Sequence, residues 1–600
     1  MATAQHAESL SLRPAYARTV VWFAVLATSL FIAPARAQLQ APDVANRPLA
    51  ASGVEIFLGG QVYIGDTCQA ACESGFGYYV GDDTCVAGGV YQCSPAHLPC
   101  PVGYQMNQGD ALSCVPATLS IAVTGVEPGK EMGQSAQCVG NVCDPATGNK
   151  YREEVDYVGA GPFPLRFARY FNTLSWDFWS EFDAVRGRIG PNWRSTYDRN
   201  LTQFSASDAD WMSYSRQDGS RWLLTQSQGT WQADPDLVVT LQAGGSGWTL
   251  RNANDELESY DAQGRLVSIT NRAGLRQTLS YDATGHVTSV QDPFGRTLSF
   301  SYDWFGRIAT MTDPAGGVYS YTYDDSLFSL VTVTYPDGSG RTYVYDEPEN
   351  MGGSSLLYGL TRVIDENGQR LATYSYDDQG RVIGTQFAGP AEQVTLQYMS
   401  DTTTAVTDGL QTTRLYDAQA VLGVKRNTNI TQPCPGCATA TSSSTRTYDQ
   451  NGNVASRTDF NGNLSCYGYD LTRNLETQRV EGLSGANCPG TPVAGVTRTI
   501  TTEWDANFRL PHRIAEPMRI TTLVYDALGT LTSKTIQATD DADGSQGFNA
   551  AANSIARTWT YTNTYSSVTP GLLIGQVVDG QRTDVADLTT YVWDESGNLI

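Results

Sequence analysis

The side chains best equipped for chemistry in this 600-residue sequence are its 12 cysteines and 4 histidines, and their spacing restricts what they can do. Cys434-Pro435-Gly436-Cys437 has the spacing of a dithiol redox motif. It lies between Pro433 and a Ser/Thr run, without the strand-then-helix context that lowers a thiol pKa, so it reads as structural. Together with Cys466 and Cys488 it predicts two structural disulfides. Eight more cysteines, Cys68, Cys72, Cys85, Cys93, Cys100, Cys114, Cys138 and Cys143, crowd into one segment. Zinc would require paired C-x-x-C knuckles or more imidazoles than the segment's single His97. An even, dense set reads instead as a disulfide framework, in a pairing the sequence does not choose.

The remaining candidates thin out in the same way. His286 occupies a turn position that neighbouring segments fill with Arg265 and Arg307, and His512 follows Pro511 in an irregular stretch. No H-E-x-x-H, G-x-S-x-G or phosphate-binding glycine loop occurs. Carboxylates are so numerous that close pairs arise by chance, and no acid/base pair can be nominated. Asp540-Asp541-Ala542-Asp543-Gly544 lacks the first ligand and the late Glu of a calcium loop and reads as a solvated acidic loop. The expectation is a protein with no catalytic, cofactor-binding or metal-ligating residues and no enzymatic activity.

Charge and leader sequence bound the setting. With 39 Lys+Arg against 62 Asp+Glu, net −23, the chain is a poor match for nucleic acid or anionic membrane, which both demand cationic patches. The cations are almost all arginine, the only lysines being Lys130, Lys150, Lys425 and Lys534. Arg13 and Arg18 precede an apolar run from Val20 to Ala33 and then Ala35-Arg36-Ala37. That order predicts a cleaved secretory signal over residues 1–37, too short and wrongly flanked for an anchor. No later stretch is long and apolar enough to span a bilayer, so the mature chain is expected to be secreted or held at a cell surface, the bacterial envelope included.

The elements that could position any site repeat themselves. Tyr-Asp pairs begin at Tyr260, Tyr281, Tyr302 and Tyr323, a constant interval, and continue through Tyr345, Tyr376, Tyr416, Tyr448, Tyr469 and Tyr525, with Trp504-Asp505 and Trp593-Asp594 as variants. Before each pair, bulky residues alternate with Ser or Thr, as in Leu298, Phe300, Tyr302 against Ser299 and Ser301, which is the period of a strand with one aromatic and one hydroxyl face. Asp-x-x-Gly-Arg follows, as at Asp261, Gly264, Arg265 and at Asp377, Gly380, Arg381. Asp can accept backbone N–H bonds there while Gly supplies the positive φ of a bulged turn. A second strand and an Asp-Pro-x-Gly turn, such as Asp292-Pro293-Phe294-Gly295, return the chain. Each repeat is therefore one β-hairpin, and tandem hairpins form a strip of antiparallel sheet.

These residues resemble the YD repeat of Rhs proteins, which also occurs in the C component of insecticidal toxin complexes and in teneurins. Asp144 to Lys150, Pro164 to Tyr170, and Gly190-Pro191-Asn192-Trp193-Arg194 resemble the domain that introduces bacterial Rhs arrays. The resemblance implies an all-β fold, a spiralling antiparallel sheet forming a partial shell, preceded by a small β domain and a disulfide-rich segment. It implies a shell around a C-terminal effector, often a toxin, closed by a plug with an Arg-Asp-Pro-x-Gly motif. This chain stops at Ile600 inside the unit beginning at Trp593, with neither plug nor effector, and so reads as part of a longer product. The expected organisation is a signal peptide at 1–37, a cysteine-rich segment at 38–143, an introductory β domain at 144–250 and YD repeats at 251–600. Such a strip is long enough for about one turn around a cavity.

Tryptophans Trp176, Trp179, Trp193, Trp211, Trp222, Trp231 and Trp248 concentrate between the cysteines and the regular repeats. Packing explains such density in a small β domain, with sugar stacking as the alternative. Two functions follow as expectations: an exported scaffold that encloses and delivers a toxin effector between bacteria, whose partner is that effector domain or a companion chain, or an extracellular adhesin that binds glycans on the aromatic strip.

Overall fold

The computed structural model describes residues 127–600, except 136, 141–142, 176–187, 207–208, 325–327, 354–357, 388–391 and 583, together with the backbone of short strands between residues 54 and 116. The leader, His97, Trp176, Trp179 and the side chains of Cys68 through Cys114 lie outside the described residues.

A single antiparallel sheet dominates. Its 29 strands are paired in strict sequence order, from Thr240–Gly244 to Leu588–Val592. The alternation read from the sequence sets its faces: Tyr319 and Tyr321 are buried while Thr322 between the next pair is exposed. In the second strand of the regular repeat hairpins a bulge changes the period. Tyr302 pairs with Ile308 but Ser301 pairs with Thr310, so one residue is extruded from the ladder. Apolar residues then recur three apart on one face, as Ile308 and Met311, Leu330 and Val333, or Leu360 and Val363, all buried.

Ahead of the strip lie two smaller sheets. Tyr151–Val158, Arg166–Asn172 and Trp193–Ser195 form one, with Arg166–Asn172 central. Asn200–Ala206, Ala209–Ser215, Arg221–Ser227 and Thr230–Ala233 form a meander. Short 3-10 turns such as Pro128–Glu131 accompany them, and the described residues contain no α-helix. No helix among them is long and apolar enough to cross a membrane.

The strip passes its own start. The amide of Arg509 donates to Asp255 at 2.8 Å. A Cβ placed on Gly571, whose φ is +88°, would fall 1.9 Å from the carbonyl oxygen of Ala273, so this approach requires glycine. Leu257–Asp261, beside Asp255, is the third strand of the sheet, and Pro511–Glu516, beside Arg509, is the twenty-fourth. Twenty-one steps at about 4.8 Å make a circuit of roughly 100 Å, or about 32 Å across. The circuit closes on fewer strands than the sequence suggested, and the later strands run on beside the earlier ones.

The tyrosine face points inward. The segment preceding the strip touches it at Gln277, whose amide donates to the Phe163 and Pro164 carbonyls, and at Tyr374, which accepts from Arg152. It also reaches Leu422, whose carbonyl accepts from Lys130, and Asn474, which donates to Pro235. Only a body on the inner side of a curved strip reaches strands so far around it. One hydrophobic core accordingly runs from Cys143 through Phe167, Trp193 and Leu298 to Val406.

The later cysteines form the two expected disulfides, Cys434–Cys437 and Cys466–Cys488. Cys138 and Cys143, expected in the disulfide framework, are instead free thiols. Cys143 is fully buried, and its thiol donates to the Val139 carbonyl in the tight turn that joins the two.

Candidate functional site: the inner tyrosine face and its plug

Where Tyr-Asp is followed by the Gly-Arg turn, the unit locks two consecutive hairpins together. Asp261 Oδ1 accepts the Gln263 and Arg265 amides at 3.0 and 2.9 Å, and its Oδ2 accepts Arg265 Nε at 2.7 Å. Thus fixed, the Arg265 guanidinium lies 5.0 Å from the ring centroid of Tyr281 in the next repeat. The Tyr281 hydroxyl donates back to the Leu266 carbonyl at 2.6 Å. Asp303, Arg307 and Tyr323 repeat the arrangement, as do Asp377, Arg381 and Tyr398. His286 is the variant its position suggested: it contacts Asp282 at 3.2 Å and stacks on Tyr302 at 4.4 Å. Burial, and then Arg188, hold its imidazole below its ordinary value.

The introductory sheet carries a polar cluster into this face. Arg169, with no exposed side-chain surface, makes two bonds to Asp156 at 2.7 and 2.8 Å and a third to the Tyr343 hydroxyl at 3.0 Å. Tyr321 donates to the same carboxylate at 2.9 Å. The guanidinium also lies 5.3 Å from the rings of both Trp193 and Tyr343. Burial works against its charge, but Asp156 beside it carries its pKa well above the ordinary value. Next to it, Glu154 accepts from Arg152 and Arg341; burial raises that carboxyl, and the surrounding arginines more than reverse the effect. The Trp193 indole donates to the Tyr345 hydroxyl at 2.9 Å.

Below this cluster, Lys130 bonds Asp234, Asp236 and the Leu422 carbonyl, while Arg426 bonds Asp236 at 2.9 Å. Glu127 and Glu131 flank Lys130, and burial pushes each carboxyl up to about 7. These contacts tie the preceding segment to the far side of the strip.

The arrangement positions a plug against a curved sheet; its charges are held by fixed partners. Asp541 and Asp543 spend their oxygens on the Gln546 and Ser545 amides, and His512 bonds the Leu523 carbonyl. Among the described residues no group of three or more His, Cys, Asp or Glu side chains is placed to hold a metal ion. Of the tryptophans, Trp193 and Trp231 are buried and Trp211, Trp222 and Trp248 half-buried, as packing requires. Arg169 falls in the stretch Pro164 to Tyr170 that resembles an introductory domain, whereas Asp156, in an exposed-looking acidic strand, gave no signal.

A family model described as the teneurin YD-shell matches residues 247–434, where the Asp, Arg and Tyr interlock is most regular. That stretch of the chain is YD-repeat sequence. A second family model, a domain of unknown function designated DUF6531, matches residues 140–223 of this YD-repeat protein. No curated protein matches it in sequence. Similar solved structures include a Photorhabdus luminescens Tc holotoxin pore mutated in TccC3, at 12% identity and TM-score 0.38, covering 75% of this chain and 27% of that one. Another is a TcdB2-TccC3-TEV structure, at 11% identity and TM-score 0.31, covering 82% of this chain and 29% of that one. The YD-repeat chain thus spans less than a third of the length of either.

Proposed function

We propose that this YD-repeat chain is an exported scaffold that builds part of a shell around a toxic effector polypeptide and serves to deliver it between bacteria. The observation that carries this reading is the strip itself, which completes a circuit with its tyrosine face inward and one preceding domain seated inside it. A wall of this kind can separate an enclosed polypeptide from its surroundings. Export is supported by the leader sequence and by two disulfides, which persist in oxidising compartments. No catalytic role is assigned to the scaffold. The adhesin reading is weakened by the inward orientation of the aromatic face.

The test is to recover the native protein from its source with an antibody against residues 251–430 and to treat the recovered complex with protease before and after denaturation. The expected result is an additional polypeptide that resists digestion until the sheet is unfolded. Recovery of the strip with no other polypeptide, covalent or associated, would sink the reading.

A further inference from the structure

A cleft of about 590 Å³ opens where the meander meets the start of the strip and the strands that run on past it. Its size and its place between substructures are those of a small-ligand site. Three arginines line it: Arg251, which ends the strand Gly247–Arg251, and Arg473 and Arg509, each in a connection between later strands.

These arginines depart from the pattern of the repeats. Arg265, Arg307 and Arg381 each bond the Asp four residues earlier. Arg509 also stands four residues after an Asp, Asp505, but its turn holds one residue more: the Asp505 amide donates to the Leu510 carbonyl at 2.8 Å, whereas the Asp261 amide donates to Arg265 itself. The Arg509 side chain turns away and donates to the Arg473 and Asn474 carbonyls, and Arg473 donates to the Asp505 and Phe508 carbonyls at 2.7 Å each. These bonds clamp the two connections together and leave both guanidinium charges without a counter-ion. Arg251 is exposed, and among the described residues none of the three forms an ion pair. The acids on the same walls are already engaged, Asp234 by Lys130 at 2.6 Å and Asp255 by the Arg509 amide at 2.8 Å and Arg272 at 3.8 Å. Burial lowers the Arg509 pKa, Asp255 offsets part of that, and the charge of Arg473 lowers it further. Arg473 and Arg509 are half-buried, and a guanidinium carries five N–H groups in a planar fork, so each keeps donors to offer beyond its two carbonyl bonds.

Uncompensated guanidinium groups gathered at one cleft suit a compact dianion, and their planar forks match phosphate oxygens two at a time. Leu237, Val238 and Leu471 supply an apolar wall beside them. We propose that this cleft binds a phosphate group, free or carried on a small organic body, with Arg473 and Arg509 as its donors and Arg251 as the flanking charge. A bound phosphate would fasten the beginning of the strip to the strands that pass it, beside the contact of Asp255 with the Arg509 amide. This role is independent of anything enclosed by the strip.

The test titrates the full chain with inorganic phosphate and with phenyl phosphate by calorimetry, at neutral pH and constant ionic strength, and follows hydrogen exchange at residues 251–255 and 505–510. Saturable binding of at least one of the two is expected, with exchange slowed in both segments. Tighter binding of phenyl phosphate assigns an organic phosphate to the cleft, and binding of inorganic phosphate at least as tight assigns the free ion; each upholds the proposal. Arg509→Lys keeps the charge, loses the fork and should weaken binding about tenfold. Arg251→Gln, at a residue that clamps nothing, should weaken it about threefold, while Arg276→Gln, at an exposed arginine outside the cleft, should not. The proposal fails if neither ligand binds saturably, if chloride at the same ionic strength slows exchange equally, or if Arg251→Gln and Arg509→Lys both bind as the parent does.

Discussion

The hydroxyl of Tyr323 donates a 2.7 Å hydrogen bond to the backbone carbonyl of Ile308, while Arg307, one residue earlier, lies 4.4 Å from the centroid of the same ring. Two adjacent residues of one hairpin therefore hold both the rim and the face of a tyrosine from the next. The extruded residue after Ile308 is what turns the ladder to allow it. Because each hairpin contacts chiefly its neighbours, stability along the strip is a sum of such nearest-neighbour terms.

Tyr323→Phe removes the donor and leaves the ring in place. The expected cost is about 1 kcal/mol, felt locally. Hydrogen exchange should quicken in the strands Thr297–Tyr302 to Val318–Tyr323 and stay unchanged beyond residue 500. Uniformly quickened exchange would show that the strip unfolds as one unit and that the link is not local.

Arg169 and Asp156 make a stronger demand, since neither side chain has any exposed surface. Asp156→Asn leaves the guanidinium without its counter-charge and is expected to cost about 3 to 5 kcal/mol. The double variant Arg169→Met with Asp156→Leu should recover most of that loss, because two apolar side chains carry no desolvation penalty. Denaturation midpoints of the single and double variants decide this. A double variant as unstable as the single one would mean that the Tyr321 and Tyr343 bonds, not the ion pair, hold the plug.

The hairpin, its turns and the aromatic face of each strand were legible because each is a local matter. Asp261, Gly264 and Arg265 fall within one turn, and Tyr319 and Tyr321 alternate with hydroxyl residues in one strand. What could not be read is long-range. Nothing near Asp156 in the sequence announces Tyr321, and nothing near Gly571 announces Ala273; both contacts exist only because the strip curves. The bulge inside the strand after Ile308, beyond the one expected at the turn, was not read because Ile308 and Met311, three apart, break the two-residue period by which strands are recognised.

The described cysteines divide into bonded and free. In denatured, unreduced protein, Cys138 and Cys143 should react with a thiol reagent while Cys434, Cys437, Cys466 and Cys488 do not. In the folded protein at pH 8 even the free pair should react slowly, because burial raises their thiols to about 11 and about 12. Replacing Cys466 and Cys488 by serine opens a loop of 22 residues and is expected to cost about 3 kcal/mol. Mass spectrometry of the alkylated peptides checks the assignment; labelling at Cys466 without reduction would contradict it.

Lys150 makes the stability of the chain depend on pH in an unusual direction. It is fully buried, its ammonium donates to the Tyr151 carbonyl at 2.5 Å, and it lies 4.6 Å from the Tyr374 ring centroid. Burial first, and the charge of Arg152 second, push its pKa down to about 7. An unfolded lysine keeps its proton to about pH 10.4. Between those values the unfolded chain binds more protons than the folded one, so this contribution rises with pH and is lost as pH falls toward 7. Glu127 and Glu131, raised to about 7, act in the window below: their contribution is complete below the ordinary carboxylate value and is lost as pH rises through 7. The three groups together place a minimum of stability near neutrality. Thermal midpoints measured at constant ionic strength should therefore climb from pH 7 to pH 9, and Lys150→Met should be more stable than the parent at pH 7 and flat over that range. Parallel curves for parent and variant between pH 7 and 9 would show that Lys150 stays charged in the fold, which its burial against Tyr374 argues against.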